Sequence, residues 1–282
     1  SPYECGTKAR IFSSLIYLKG TKIVSFQEGG AGKLHMHRKL EYVNFIGCDE
    51  YYTWGKKPFE YSNPKTKSFY FVKTFWLEDK YNYDPKGNLM LVAGSCRPVF
   101  FSVYEGHSLS YSYEQIEFNK VFLLNLKDNI RKNSLYRFHK QFGIGEVDYI
   151  TKAFPDIKIS LREKESHFYK MLSSSRIKIF TTDYTSNTQS IYINHPTVMM
   201  WGANNIITNP IYKDLYDEMR KNKILFHDPI KCSNHINEIY ENPEIWWRQK
   251  DVQKTRDIFL ETFCRSSTDI VKDFKNEILK LN

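Results

Sequence analysis

No apolar run in this sequence approaches the ~20 residues that a membrane-crossing helix needs. The opening residues, Ser-Pro-Tyr-Glu-Cys, do not have the charged-then-apolar layout of a secretory leader. Any membrane contact is therefore expected at the surface. Five cysteines (Cys5, Cys48, Cys96, Cys232 and Cys264) are scattered without a Cys-x-x-Cys pair, so neither zinc ligation nor a dithiol redox motif is readable. A reducing, cytoplasmic setting follows. Internal repeats and low-complexity tracts are absent as well.

The familiar motifs of nucleotide and metal chemistry are missing too. The loop Gly29-Gly30-Ala31-Gly32-Lys33 lacks a glycine at position 27 and has Leu34 after its lysine, so it is not a Walker phosphate loop. Gly143-Ile144-Gly145 meets Asp148 where a dinucleotide fingerprint needs a third small residue. There is no His-Glu-x-x-His and no Asp-x-Asp. His35 and His37 stand two apart but have no clustered partners, and no metal site is assigned.

What is present is an ordinary globular mixture. The 282 residues are 41% hydrophobic and 26% charged, which excludes a disordered tail and fits one large domain or two smaller ones. The net charge of +9 suits acidic partners such as phosphates, nucleotides, nucleic acid or anionic headgroups. Residues 5–19 are expected to be helical, and Lys22–Phe26 to form a strand feeding the glycine loop. Residues 55–67, rich in Gly, Pro and charge, are expected to connect two domains.

From residue 89 onward strands are expected near 89–93, 135–138, 157–160, 177–182, 197–201 and 224–226, with amphipathic helices between most of them. One apolar helical stripe runs through Ile116, Leu123, Leu126 and Ile130. Asn209-Pro210 and Asp228-Pro229 each pair a cap residue with proline at the first helical position. Strand-helix alternation implies an α/β fold, a mostly parallel Rossmann-like sheet flanked by helices. Its ligands would lie beyond the carboxyl ends of the strands.

Three segments fall at such ends. In Phe26-Gln27-Glu28-Gly29-Gly30 the glycines let backbone amides approach an anion while Glu28 offers a carboxylate; an ordinary glycine turn is the simpler alternative. In Tyr136-Arg137-Phe138-His139-Lys140 strand alternation puts Arg137 and His139 on one side, where they would suit phosphate oxygens or form a merely solvated face. Thr181-Thr182-Asp183-Tyr184-Thr185-Ser186-Asn187 is a hydroxyl-rich turn from strand into helix, either an anion site or a cap.

These segments, in this order, resemble the C-terminal half of GT-B-type transferases that build bacterial surface polysaccharides. The closest likeness is to O-antigen biosynthesis transferases of the LIC-type family. CDP-glycerol polymerases of teichoic acid synthesis and Kdo transferases of capsule assembly are more distantly similar. The matching text is Gln27-Glu28-Gly29-Gly30, Thr53-Trp54-Gly55, Arg137 with His139, Thr182–Ser186, Asn194–Val198, Ile224–Pro229 and Trp246-Trp247.

The resemblance implies metal-independent, cofactor-free transfer from a nucleotide-activated sugar to a glycan or lipid-linked acceptor at the inner membrane face. By it, Thr185, Ser186, Asn187, Arg137 and His139 would hold the donor phosphates, and Glu28, Arg137 and His139 would be catalytic, with Gln27, Gly29 and Gly30 shaping the loop. The family's loop histidine is Glu28 here, which implies either a carboxylate base or altered activity. The implied organisation is 1–60 as the end of an acceptor-side domain, 61–262 as the donor-binding domain and 263–282 as a C-terminal helix crossing the cleft. A missing N-terminal half, or a partner chain supplying it, would then complete the enzyme. The alternative is a non-catalytic, transferase-like partner or a module binding nucleic acid or anionic glycan; no nucleic-acid signature supports the latter.

Overall fold

The computed structural model describes residues 7–27, 29, 47–55, 65–71, 83–94, 109–138, 145–161, 165–183, 185–203 and 208–280. Helix α1 (Thr7–Leu18) precedes a small parallel sheet of β1 (Val24–Phe26), β2 (Glu50–Trp54) and β3 (Thr66–Phe69), with β2 in the centre. Strand β3 lies partly inside the stretch expected as a connection. Its alternation is blurred, because Lys67 and Ser68 face outward and only Phe69 is buried. Pairing of Trp54 with Phe69 ties it to β2, so the N-terminal unit runs past residue 60, through Phe69.

The larger sheet holds β4 (Asn88–Ala93), β5 (Ser134–Phe138), β6 (Lys158–Ser160), β7 (Ser175–Phe180), β8 (Thr197–Met200) and β9 (Leu225–Phe226). Their order is β6-β5-β4-β7-β8-β9, and every pairing is parallel. Between them run α2 (Leu109–Leu124), α3 (Asp128–Lys132), α4 (Glu146–Ala153), α5 (Glu165–Ser173), α6 (Thr185–Tyr192) and α7 (Lys213–Lys221). After β9 come α8 (Pro229–Ile239), α9 (Pro243–Trp247), α10 (Lys250–Phe263) and α11 (Ile270–Leu279).

Two-residue periodicity sorts the strand side chains onto two covered faces. Leu89, Leu91, Tyr136, Phe138, Ile177 and Ile179 share one apolar cluster with Ile116, Phe122 and Leu123 of α2. Met90, Val92 and Phe180 face the other way, against Leu172 of α5. Each fully buried aliphatic or aromatic side chain contributes about 1.5–3 kcal/mol. The expected stripe is buried throughout but broken in two: α2 stops at Leu124, and Ile130 lies on the separate helix α3.

Asp228 caps α8, accepting from Ile230 N–H (2.8 Å) and Lys231 N–H (3.1 Å). Asn209 instead caps a 3₁₀ turn, Pro210–Tyr212, that leads into α7. The two tryptophans moor the tail: Trp247 Nε1 donates to Asn194 Oδ1 (2.8 Å) and Trp246 Nε1 to Asn222 O (3.1 Å).

Candidate functional site

Where the strand order of an open parallel sheet reverses, the chains leaving two adjacent strands diverge to opposite faces and a crevice opens at their carboxyl ends. Here the reversal falls between β4 and β7. The chains leaving those strands are stitched together: Thr181 N–H donates to Val92 O (3.1 Å) and Gly94 N–H to Thr181 Oγ1 (3.3 Å). Glycine permits this approach, since a Cβ on residue 94 would lie 2.2 Å from Thr182 Cγ2. The sequence marks Gly94 only as a glycine after a strand, and its pairing with Thr181 was not legible there.

Beyond Thr182 the chain turns into α6. Asn187 Nδ2 donates back to Thr182 O (3.3 Å) and Thr188 Oγ1 donates to Asn187 Oδ1 (3.2 Å), which braces the turn. The Asn187 side chain, expected at the phosphates, is thus buried and engaged inside the protein. Thr185 and Ser186 are half-buried at the first turn, where backbone N–H groups have no intrahelical acceptor. At the opposite end of α6, Arg256 Nε donates to Ile191 O (2.9 Å) and Nη2 to Tyr192 O (3.0 Å). A guanidinium therefore answers the negative pole of the helix, while no acidic residue stands within the first turn at the positive pole. Asp183, just before that turn, is buried; burial first and the Asp183 carboxylate second push the Tyr216 phenol well above its ordinary range.

Arg137 pairs with Val92, and Val92 with Phe180, so the three form one row across the sheet. At roughly 4.8 Å per strand the Arg137 and Phe180 backbones are about 10 Å apart. The guanidinium is 5% exposed, stacked 4.9 Å over the Phe168 ring with Nη1 3.4 Å from Ser160 Oγ. It belongs to the row of the α6 turn but is enclosed between β6 and α5. Tyr136 and Phe138 point to the opposite face, as alternation requires.

The glycine loop after β1 is pinned by Gln27. Its N–H donates to Tyr52 O (2.8 Å), its Oε1 accepts from Trp54 N–H (2.9 Å), and its Nε2 donates to Gly29 O (2.8 Å). With both ends of its amide bonded and 2% exposure, Gln27 is a clamp that shapes the loop. Glu28, Gly30 and His139 lie outside the described residues.

A doubly covered parallel sheet of this order, with a helix amino end opening at its reversal point and a second small parallel sheet beside it, defines the GT-B class of α/β fold. The chain belongs to the LIC12162 family transferases, whose profile it matches over residues 3–278. It is therefore a transferase, an enzyme. No curated protein sequence matches it. Among solved structures it is similar to S. aureus MnaA with UDP (TM-score 0.60, 8% identity, 99% of this chain and 84% of that one). It is also similar to the H444N variant of the wall teichoic acid polymerase TagF (TM-score 0.51, 8% identity, 93% and 68%) and to TarM (TM-score 0.50, 14% identity, 92% and 50%). The chain thus spans half the length of TarM. Among the described residues no helix is long and apolar enough to cross a membrane.

Proposed function

We propose that this transferase is a GT-B glycosyltransferase that moves a sugar or related unit from a nucleotide-activated donor to a bacterial surface polysaccharide or its lipid-linked precursor. The observation that carries the reading is the amino end of α6, open at the sheet's reversal point with Thr185 and Ser186 half-buried on its first turn. Backbone N–H groups, two hydroxyls and the positive pole converge there, the requirements of a diphosphate. Arg137, two strands away in the same row, adds fixed positive charge in a low-dielectric setting. The UDP bound by the structurally similar MnaA, and the likeness to the wall teichoic acid polymerase TagF, are consistent with this donor and acceptor class.

In this reading the acceptor hydroxyl attacks the sugar's anomeric carbon as the bond to the phosphate oxygen breaks. The hydroxyl proton passes to the carboxylate of Glu28, the residue after Gln27 in the sequence, and the nucleoside diphosphate leaves with its charge on the α6 amino end. His139 follows Arg137 by two residues and would share the phosphate side. No metal is assigned a role. Thr185 and Ser186 replace Asn187 as the side chains in contact, because the Asn187 amide is already bonded to Thr182 O.

The test is a thermal-shift panel of UDP, CDP, GDP and ADP, and their sugars, on the unmodified chain and on Ser186→Ala. A ligand that binds only the folded state stabilises it by RT ln(1 + L/Kd), where L is the free ligand concentration, and so raises Tm according to its affinity and concentration. At least one nucleotide should raise Tm, and Ser186→Ala should weaken it roughly ten-fold, the worth of one hydrogen bond to a charged group. No shift with any nucleotide, or equal shifts in the variant, would overturn the reading.

A further inference from the structure

A chain of polar side chains crosses the otherwise apolar layer between β5, α2 and α4. Gln115 Nε2 donates to Asn119 Oδ1 (3.0 Å), Asn119 Nδ2 to the Tyr136 hydroxyl (2.8 Å), and the Tyr136 hydroxyl to Glu146 Oε1 (2.9 Å). Each bond points the same way, so the chain ends on a carboxyl. Gln115, Asn119 and Tyr136 are buried among residues such as Ile116, Leu123 and Phe138. Polar groups in such a layer are costly unless fully bonded, and Gln115 Oε1 is left buried without a partner. Packing alone would be served by apolar residues at all three positions.

The end of the chain sits where the donor would lie. Glu146 opens α4, directly after Gly145, whose positive φ of 74° turns the chain into the helix. As the helix that follows β5, α4 begins at the carboxyl edge of the parallel sheet, two strands along from β7 and on the face covered by α2. Oε1 of Glu146 is held by Tyr136, while Oε2 makes no hydrogen bond within the described residues and is not sealed from solvent. The charged side chains between the same two helices, Glu117 and Lys120, engage Tyr149 instead, with Lys120 Nζ 2.6 Å from its hydroxyl. Burial raises the Glu146 carboxyl to about 7, against the lowering effect of the Tyr136 hydrogen bond.

We propose that Glu146 is the nucleobase-reading carboxyl of the donor site, its free oxygen accepting an N–H from the base edge while Tyr136 and Asn119 fix its orientation. A nucleotide whose phosphates rest on the α6 amino end and which lies along the carboxyl edge brings its base over β5 and α4. The inference rests on the donor site proposed above. Recognition of a base by carboxylate acceptance from N–H is common chemistry, and here the carboxyl is pre-oriented by the Tyr136 hydroxyl, itself held by the Asn119 amide.

The test compares the unmodified chain with Glu146→Gln in calorimetric titrations of UDP, CDP, GDP, ADP and inorganic pyrophosphate. Glu146→Gln should weaken the preferred nucleoside diphosphate roughly ten- to hundred-fold, the range for a hydrogen bond to a charged group. It should flatten the preference among bases and leave pyrophosphate affinity unchanged, which also reports an intact fold. Tyr136→Phe should give a smaller loss with the same pattern. Equal weakening for all four bases that vanishes with 2′-deoxy nucleotides would assign the contact to ribose and overturn the base assignment. Parallel loss of pyrophosphate and nucleotide, or no loss of either, would overturn any ligand role for Glu146. Absence of all nucleotide and pyrophosphate binding by the unmodified chain would overturn the donor site itself. Pyrophosphate binding that no nucleoside improves would overturn this inference alone.

Discussion

Burial holds the His195 imidazole at about 3, with Lys178 adding to the effect; burial first, then Lys223, does the same at His235. Lys178 Nζ stands 3.2 Å from His195 Nδ1 and 4.8 Å over the Tyr83 ring, and burial drives its ammonium well below the ordinary lysine range. In the unfolded chain both histidines titrate near 6.5. Between about 6.5 and 3 the unfolded state therefore binds protons that the folded state does not, so stability is full above that window and falls as pH drops through it. Lys178 acts in the same sense. Glu146, raised to about 7, acts oppositely between its unfolded value of 4.5 and 7, where the folded state holds the extra proton. The histidine loss is therefore partly masked until the pH falls below 4.5. Among the described residues neither ring nitrogen of His235 has a hydrogen-bond partner, and the ring lies against Phe226 (5.6 Å) and Trp246 (4.9 Å). His235→Phe removes an unsatisfied polar group from an aromatic nest and should stabilise by about 1–3 kcal/mol. Urea midpoints measured from pH 7 to 4 should fall for the unmodified chain and fall less steeply for His235→Phe; an unchanged slope would contradict the assignment.

At the scale of the element, α6 joins structure to chemistry. Its inner face is polar yet satisfied: Gln189 Nε2 donates to the Tyr169 hydroxyl (3.0 Å), and the Ser190 and Thr197 hydroxyls are 2.6 Å apart. Its carboxyl end is closed by Arg256 from α10. Arg256→Ala should cost about 1–3 kcal/mol by orphaning those carbonyls, read as a lower Tm, while nucleotide affinity at the far end stays within two-fold by titration. The turn into α6 was legible because Ile177–Phe180, apolar apart from Lys178, is followed by hydroxyls. Strands β4, β5 and β7 read equally well, since each is buried on both faces. What escaped the sequence depends on non-local partners. The bracing role of Asn187 needs Thr182 O across a turn, Arg256 needs α6 some 65 positions away in the chain, and β3 needs β2 to reveal its one buried side chain. Lys178, inside an otherwise apolar strand, reads as a solvated position until His195 and Tyr83 close over it.

Across the whole molecule the two sheets are joined by the end of α10 and by α11. Gly55, at φ +85°, seats its backbone so tightly on Thr262 that a Cβ would lie 2.1 Å from Thr262 O, and Phe71 N–H donates to Arg265 O (2.9 Å). Further along, the Phe274 ring of α11 stands 5.3 Å from Phe26 and 6.3 Å from Phe69, and the Tyr52 hydroxyl reaches Glu277 (3.4 Å). The sheet bearing the Gln27 clamp is thus fastened through the last helix of the chain, whereas the α6 turn belongs to the six-stranded sheet alone. If donor binding and proton abstraction are divided between the two sheets, loosening α11 should separate them. Phe274→Ala removes aromatic packing from a ring that is 38% exposed, so the loss should be modest, about 1–2 kcal/mol rather than the 3–5 of a fully buried phenylalanine. Hydrogen exchange should then quicken in α11 and β1 but not in β4 or β7. Nucleotide affinity should be retained while turnover falls, because the small sheet that bears Gln27 would no longer be fixed against the sheet proposed to hold the donor. Retained turnover with faster exchange in α11 would mean that the small sheet takes no part in the chemistry, and the carboxylate would have to be sought on the large sheet instead.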